Sequence, residues 1–449
     1  MKYICNKLFV SIFICFFVIN SGIYPQQKNT FPRLKSDPEI ESLTKEDPYT
    51  ADELFAVALW ASGADSNPSY TAAYYEKFEA IKAALSDGIP NDKKERAEYI
   101  LNYLHKNVFT NYSLNQTRLD TLLTNGRYNC VSSAVLYTIM ASNFELDARG
   151  VVTKDHAFAL INFDDGPIDV ETTNSYGFDP GKKKEFTDNF GKATGFAYTS
   201  PGNYRNRQTI SLIELISLIQ RNRIADLEKA NKFADAVPLA IDRAAFFKER
   251  HDTVQSALFG DPSTESDDAI FNLGAFYLNR GNEKEALAWA DYSKDSVRDK
   301  KREHEFVLAV VNNIIAKELR SKKIEAAQKT LIAEENRFTQ EETNKFKGMI
   351  LDAELTQVVN SSKDGEATLK ALKQIEDAEK TGFIETKRIA AFKSTVVKNR
   401  IAYFHNNFAK LFNKKDYSNA QLVLETALKE FPSNKQFLQD QTNLKKVMK

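Results

Sequence analysis

One cysteine stands out as a residue that could do chemistry. In "NGRYNCVSSAVLYTIM" (residues 125–140), a turn at Asn125-Gly126 leads into a predicted helix that begins at Cys130, with Asn129 as a favourable N-cap. A thiol in the first turn faces free backbone N–H groups and the positive helix end, and both favour the nucleophilic thiolate. Cys130 is therefore a candidate nucleophile, and an inert buried thiol is the alternative.

A thiolate nucleophile needs a histidine that is itself held by a third group. His156 fits because it opens the apolar run "HAFALINF". A satisfied core histidine is the alternative for this position. A structural or solvent-facing role is sufficient for the other histidines, which lie in helical segments of mixed polarity: His105, His251, His304 and His405.

The third group is expected from a neighbouring strand. "RGVVTKDHAFALINF" predicts one strand, "DDG" a turn, and "PIDVETT" a partner strand that carries Asp169 and Glu171 on one face. A connecting loop with an even number of residues puts both acids on the face of His156, and an odd number turns them away. A four-residue loop "FDDG" would set Glu171 diagonally near His156.

Together these segments resemble the core of the transglutaminase-like, or papain-like cysteine, superfamily. That family has a glycine-led loop, a cysteine that opens a helix, and a strand of the type "lGl.aR.v", which "FELDARGVV" matches with Arg149 in place. An ungapped reading aligns His156-Ala157-Phe158 with the family's H-A-W and Val170-Glu171-Thr172-Thr173 with its V-D-x-T. The resemblance covers residues 90 to 175, about a fifth of the chain.

The resemblance implies a role for each residue. Cys130 would be the nucleophile, His156 the general base and acid, and the Cys130 backbone N–H an oxyanion donor. The family's acid is Asp, but the matching position here is Glu171, whereas Asp169 has the right residue type at the wrong spacing. We therefore rank Glu171 first and Asp169 second as the residue that orients the imidazole.

Composition excludes some classes of partner. Lys plus Arg and Asp plus Glu are equal at 61 each, so no basic field favours nucleic acid, and none is predicted as a partner. The sequence has no H-E-x-x-H or C-x-x-C motif. No metal and no cofactor are predicted.

The N-terminus predicts export. Residues 1–22 have a positively charged start, an apolar run from Leu8 to Ile19 and the small residues Ser21-Gly22, which is typical of a secretory signal peptide. An uncleaved anchor is the alternative. Cleavage would leave Cys130 as the only cysteine and no integral membrane span, in a periplasmic or secreted protein.

The predicted fold class is α+β followed by an all-α domain. Residues 23–49 are polar with four prolines and predict a linker, residues 50–205 predict the transglutaminase-like domain with an antiparallel sheet, and residues 206–449 predict helical repeats. The repeats resemble tetratricopeptide repeats, because small and large residues recur in paired helical patterns. The residues that carry this pattern are Leu273, Gly274, Tyr277, Gly281, Ala286 and Ala290, then Ala420, Leu424, Ala427 and Pro432, with weaker copies at Ala236, Ala240, Ala327 and Leu331.

The sequence thus predicts an exported cysteine peptidase or amidase, or a transglutaminase-type acyltransferase. Its substrate would be a protein or peptide, and its repeats would bind a protein partner. Hydrolysis is preferred to cross-linking. The alternatives are a catalytically inactive domain that serves as a protein-binding module, and a purely structural scaffold.

Overall fold

A computed structural model describes residues 30–44, 48–64, 68–154, 156–180, 207–249 and 260–448. The predicted signal peptide lies outside these residues. In this part of the chain the fold is mostly helical with a small antiparallel sheet, which confirms the α+β class.

Helices come first along the chain, and several of them begin at a polar N-cap. Thr50 forms a capping box with Glu53 at the start of the second helix, and Asp92 caps the fourth. The helices are α1 (Ile40–Leu43), α2 (Ala51–Ser62), α3 (Pro68–Ser86), α4 (Lys93–Asn107), α5 (Leu119–Asn125) and α6 (Cys130–Asn143). Two short strands, β1 (Asn111–Tyr112) and β2 (Arg127–Tyr128), pair in parallel and flank α5.

A four-stranded antiparallel sheet follows α6. Its strands are β3 (Asp147–Val152), β4 (Ala157–Phe163), β5 (Gly166–Val170) and β6 (Gln208–Ile210), in the order β5-β4-β3-β6. Side chains on β4 alternate between the two faces of the sheet. Ala159 and Ile161 join the main core with α6, whereas Phe158 and Leu160 pack on the other face with Val151.

The structure divides the predicted first strand into a hairpin. The chain turns between β3 and β4, where the N–H of Thr153 bonds the carbonyl of His156. The pattern of apolar residues continues on both sides of "TKD", so it does not indicate the turn. Between β4 and β5, Phe163 pairs with Gly166, so the loop contains the two residues Asp164 and Asp165 rather than the four of "FDDG", and the number is even. Gly166 has a φ of 118°, a value that side-chain-bearing residues rarely adopt.

The helical part continues to the C-terminus as successive helices that pack on their neighbours. Its small residues are buried where pairs approach: Ala236, Ala286, Ala327 and Ala420 are each 0% exposed. At Gly274 an added Cβ would lie 2.5 Å from the ring of Phe306 on the next pair. The helices are α7 (Leu212–Lys229), α8 (Phe233–Glu249), α9 (Pro262–Asn279), α10 (Glu283–Ser293), α11 (Lys300–Arg320), α12 (Ile324–Glu334), α13 (Gln340–Ser361), α14 (Gly365–Thr381), α15 (Thr386–Asn413), α16 (Tyr417–Glu430) and α17 (Lys435–Val447).

The core of the N-terminal part extends past the predicted boundary at residue 205. Ile213, Leu215 and Ile216 of α7 belong to the same apolar cluster as α2 and α6. Phe246 of α8 stacks on Trp60 of α2, with the ring centroids 5.5 Å apart. Helix α7 is thus shared between the sheet-containing part and the helices that follow.

Part of the predicted linker is anchored. Phe31 lies edge-on to Trp289 of α10 with centroids 5.4 Å apart, and Arg33 pairs with the buried Asp242 of α8 at 2.5 Å. Ile40 is buried in the main core. Apolar residues are isolated in this polar, proline-rich stretch and form no hydrophobic periodicity. The sequence alone therefore does not predict these contacts. Within the described ranges, no helix is both long and apolar enough to cross a bilayer.

Candidate active site

Cys130 is the first residue of α6. The Oδ1 of Asn129 accepts from the N–H groups of Val131 at 3.0 Å and Ser132 at 3.1 Å, and the N–H of Asn129 donates to the Ser132 hydroxyl at 3.0 Å. This capping box uses the next two amides of the helix. The N–H of Cys130 has no acceptor in the part of the chain that the structure describes. A partly buried thiol and a free amide therefore lie together at the positive end of a helix.

His156 directly precedes β4 and joins the thiol to an acid. Its Nε2 lies 2.6 Å from Oε2 of Glu171, and both side chains are nearly buried. Its second hydrogen-bonding group is the side chain of Cys130. Because Nε2 is engaged with Glu171, the Nδ1 atom is the one left for the thiol. Cys130, His156 and Glu171 thus form one hydrogen-bonded series.

The electrostatics of this series favour a charged imidazole. Burial opposes the imidazolium, but the carboxylate of Glu171 and the hydrogen bonds with Cys130 and Glu171 prevail. They hold the pKa of His156 well above its ordinary value. A proton that leaves the thiol is thereby stabilised on the imidazole.

Glu171 is fixed by the residues that follow it. The N–H and hydroxyl of Thr173 donate to Glu171 Oε1 at 3.2 and 2.7 Å, so one carboxylate oxygen is held locally and the other serves His156. The chain then folds back, and the carbonyl of Gly177 accepts from the N–H of Glu171 at 2.8 Å. An added Cβ at Gly177 would lie 1.8 Å from the Glu171 carbonyl oxygen, so the loop needs glycine there.

Thr172 connects the segment 171–173, called the acid segment below, to two helices by hydrogen bonds. Its hydroxyl lies 2.8 Å from the Ser133 hydroxyl on α6, one turn beyond Cys130. Its carbonyl accepts from Nε2 of His105 on α4 at 3.1 Å. Burial lowers the pKa of His105 to about 4, so its imidazole is neutral at pH 7 and donates from Nε2. The acid is therefore positioned from the nucleophile's helix and from α4.

Asp169, the second-ranked acid, is bound to Arg207 rather than to His156. The two groups form a bidentate ion pair with distances of 2.6 and 2.7 Å. The register puts Asp169 opposite Leu160, two residue pairs further from the site than Glu171. The Arg207 guanidinium also lies 5.2 Å from the ring centroid of Phe158. The Asp169 carboxylate has a structural partner, which leaves Glu171 as the acid in contact with the imidazole.

The sequence did not predict the contact between His105 and Thr172 beside the site. A signal for His105 was available, because it follows Leu101 by four residues on the buried face of α4. Tyr112, which packs on Tyr128 two residues before Cys130, lies in a two-residue strand that is too short for a periodic signal. The described residues include no group of three or more His, Cys, Asp or Glu side chains placed to hold a metal ion.

No protein-family model matches the chain, and no curated protein or solved structure shows significant similarity to it.

Proposed function

We propose that this protein is an exported, transglutaminase-like thiol enzyme that transfers an acyl group from an amide or peptide bond, with water as the acceptor. The observation that carries the proposal is the series Cys130, His156 and Glu171 at the start of α6. A thiol, an imidazole and an acid in this order are the parts of a nucleophilic site.

The chemistry follows from these groups. The Cys130 sulfur attacks the amide carbonyl carbon, and the proton of the thiol resides on His156. As the C–N bond breaks, His156 gives that proton to the leaving amine and a thioester remains on Cys130. His156 then takes a proton from water, whose oxygen attacks the thioester and releases the acid and the free thiol.

Glu171 supports this role despite its extra methylene relative to the family's Asp. The longer side chain reaches Nε2 of His156 at 2.6 Å because Thr173 holds the other carboxylate oxygen. The helices from α7 onward would bind the protein that carries the amide or a partner protein. Their packing of small residues supports a resemblance to tetratricopeptide repeats.

Trapping of the thioester tests the proposal. The full chain would be incubated with a mixture of peptide substrates, quenched in acid and analysed by intact mass spectrometry, with Cys130→Ala as control. We expect an acyl adduct on Cys130 and peptide cleavage or ammonia release that the Cys130→Ala variant lacks. Equal turnover by the native chain and Cys130→Ala would contradict the proposal and favour the protein-binding module.

A further inference from the structure

The proposed reaction needs a second donor for the oxyanion. When the sulfur attacks the carbonyl carbon, negative charge develops on the carbonyl oxygen, and thiol and serine enzymes stabilise it with preorganised N–H or O–H donors. The N–H of Cys130, which no acceptor engages within the described ranges, supplies one donor. The second donor must come from a residue near the start of α6.

The segment before α5 lies along the start of α6. Tyr112 pairs in parallel with Tyr128, two residues before Cys130, and the N–H of Ser113 donates to the Tyr128 carbonyl at 2.8 Å. The side chain of Asn129 donates to the carbonyl of Leu114 at 3.1 Å. The backbone that follows Tyr112 is therefore held at Ser113 by Tyr128 and at Leu114 by Asn129, the N-cap residue of α6.

The side chain of Tyr112 packs on Tyr128, whose hydroxyl donates to the carbonyl of Thr173 at 3.5 Å beside Glu171. Its ring lies edge-on to Tyr128 with the centroids 5.8 Å apart, and it is half-buried. Burial and the negative charges of Cys130 and Glu171 raise its pKa well above the ordinary value. The phenol is thus neutral, and its hydroxyl has no hydrogen-bond partner among the described residues.

We propose that the hydroxyl of Tyr112 is the second oxyanion donor, a catalytic residue of the reaction proposed above, on which this inference rests. As the S–C bond forms, the electron pair of the C=O π bond moves to oxygen. There it accepts hydrogen bonds from Tyr112 and the Cys130 amide. When the bond to the leaving group breaks, the pair returns to form C=O, and Tyr112 keeps its proton throughout.

Two probes of Cys130 separate this role from a structural one. Iodoacetamide reacts at a tetrahedral carbon and releases iodide without an oxyanion on that carbon. p-Nitrophenyl acetate acylates the thiol through a tetrahedral intermediate with an oxyanion. In the full chain, Tyr112→Phe is expected to slow acylation by about 10²-fold, the usual effect of losing one oxyanion donor, and to change alkylation less than about twofold.

Tyr103→Phe is the matched control, because Tyr103 is a half-buried tyrosine on the same core and lies outside the site. It should leave both rates unchanged. Equal acylation of Tyr112→Phe and the native chain would overturn the role of Tyr112 while the nucleophile proposal stands. Parallel loss with both probes would also overturn it, because it would show that Tyr112 only positions the thiol. A native Cys130 that reacts with neither probe would overturn the proposed function and this inference together.

Discussion

At the scale of single residues, the site depends on the length of one side chain. The proposed resemblance expects an aspartate where this chain has Glu171, and Thr173 holds one oxygen of the longer side chain and leaves the other 2.6 Å from His156. The arrangement orients the imidazole and stabilises its charged form.

Replacement of Glu171 by Gln tests this dependence. The amide keeps the size of the side chain but removes the negative charge that raises the pKa of His156. We expect the rate of Cys130 alkylation by iodoacetamide at pH 6 to fall about tenfold or more, because a neutral imidazole stabilises the thiolate less. The rate would be followed by mass spectrometry.

Asp169→Asn is the matched control. It removes a carboxylate from the same strand segment, but that carboxylate is bound to Arg207. Alkylation of Cys130 should change less than about threefold. A larger effect for Asp169→Asn than for Glu171→Gln would reverse the assignment of the acid.

At the scale of elements, positioning of Glu171 depends on the loop between β5 and Phe178. The chain folds back so closely that Gly177 has no room for a side chain. Gly177→Ala is expected to displace the Glu171 backbone and reduce alkylation at pH 6 at least as much as Glu171→Gln. Gly281→Ala is the control, because it strains a turn with a φ of 73° between α9 and α10, away from the site. Similar alkylation rates for both variants would contradict the role of this loop.

The contact between α4 and the acid segment makes stability depend on pH. His105 has a pKa of about 4 in the folded protein and an ordinary value of 6.5. Between these values the unfolded chain binds a proton that the folded protein does not, so the free energy of unfolding decreases as the pH falls. The expected loss is on the order of 3 kcal/mol.

His105→Gln can keep the hydrogen bond to Thr172 but cannot titrate. Its melting temperature, measured by circular dichroism between pH 4.5 and 7, should fall less on acidification than that of the native chain. The pKa of His156 is raised instead, so its contribution has the opposite pH dependence. It stabilises the fold fully below the ordinary pKa of 6.5, and this stabilisation is lost as the pH rises through the pKa of the folded protein. Melting temperatures of the native chain and His105→Gln that fall equally on acidification would contradict the role of His105 in this pH dependence.

The sequence predicted the parts of the site that depend on local pattern. The helix start at Cys130 and the strand that follows His156 are encoded within a few residues, whereas the sequence leaves the length of the hairpin loop before Glu171 open. The contacts that position these elements are not encoded locally. Thr172 contacts Ser133 and His105, which are 39 and 67 residues away in the sequence, and hydrophobic periodicity does not indicate contacts between such distant residues. The choice between Asp169 and Glu171 needed Arg207, whose pairing across the sheet depends on the tertiary fold.

At the scale of the whole molecule, α7 joins the site-bearing part to the later helices. Ile216 is buried in the cluster that contains α6, whereas Leu424 on α16 is buried in a separate cluster near the C-terminus. Either substitution by Ala should cost about 2–5 kcal/mol locally. In a stack of helices each unit contacts mainly its neighbours, so the loss of stability should be confined to the helices near the substituted residue.

Hydrogen exchange and alkylation together distinguish these two variants. Ile216→Ala should speed amide exchange in α6 and α7 and alter alkylation of Cys130. Leu424→Ala should speed exchange in α16 and leave alkylation unchanged. Faster exchange in α6 from Leu424→Ala would show that the chain unfolds as one cooperative unit instead.

The most direct test of the central claim is the pH dependence of Cys130 alkylation by iodoacetamide in the full chain, measured beside His156→Ala. A thiolate paired with an imidazolium predicts a rate that persists well below pH 7 in the native chain and is lost in the variant. A rate that falls away below about pH 8.5 in both proteins, as for a free thiol, would contradict an activated Cys130–His156 pair.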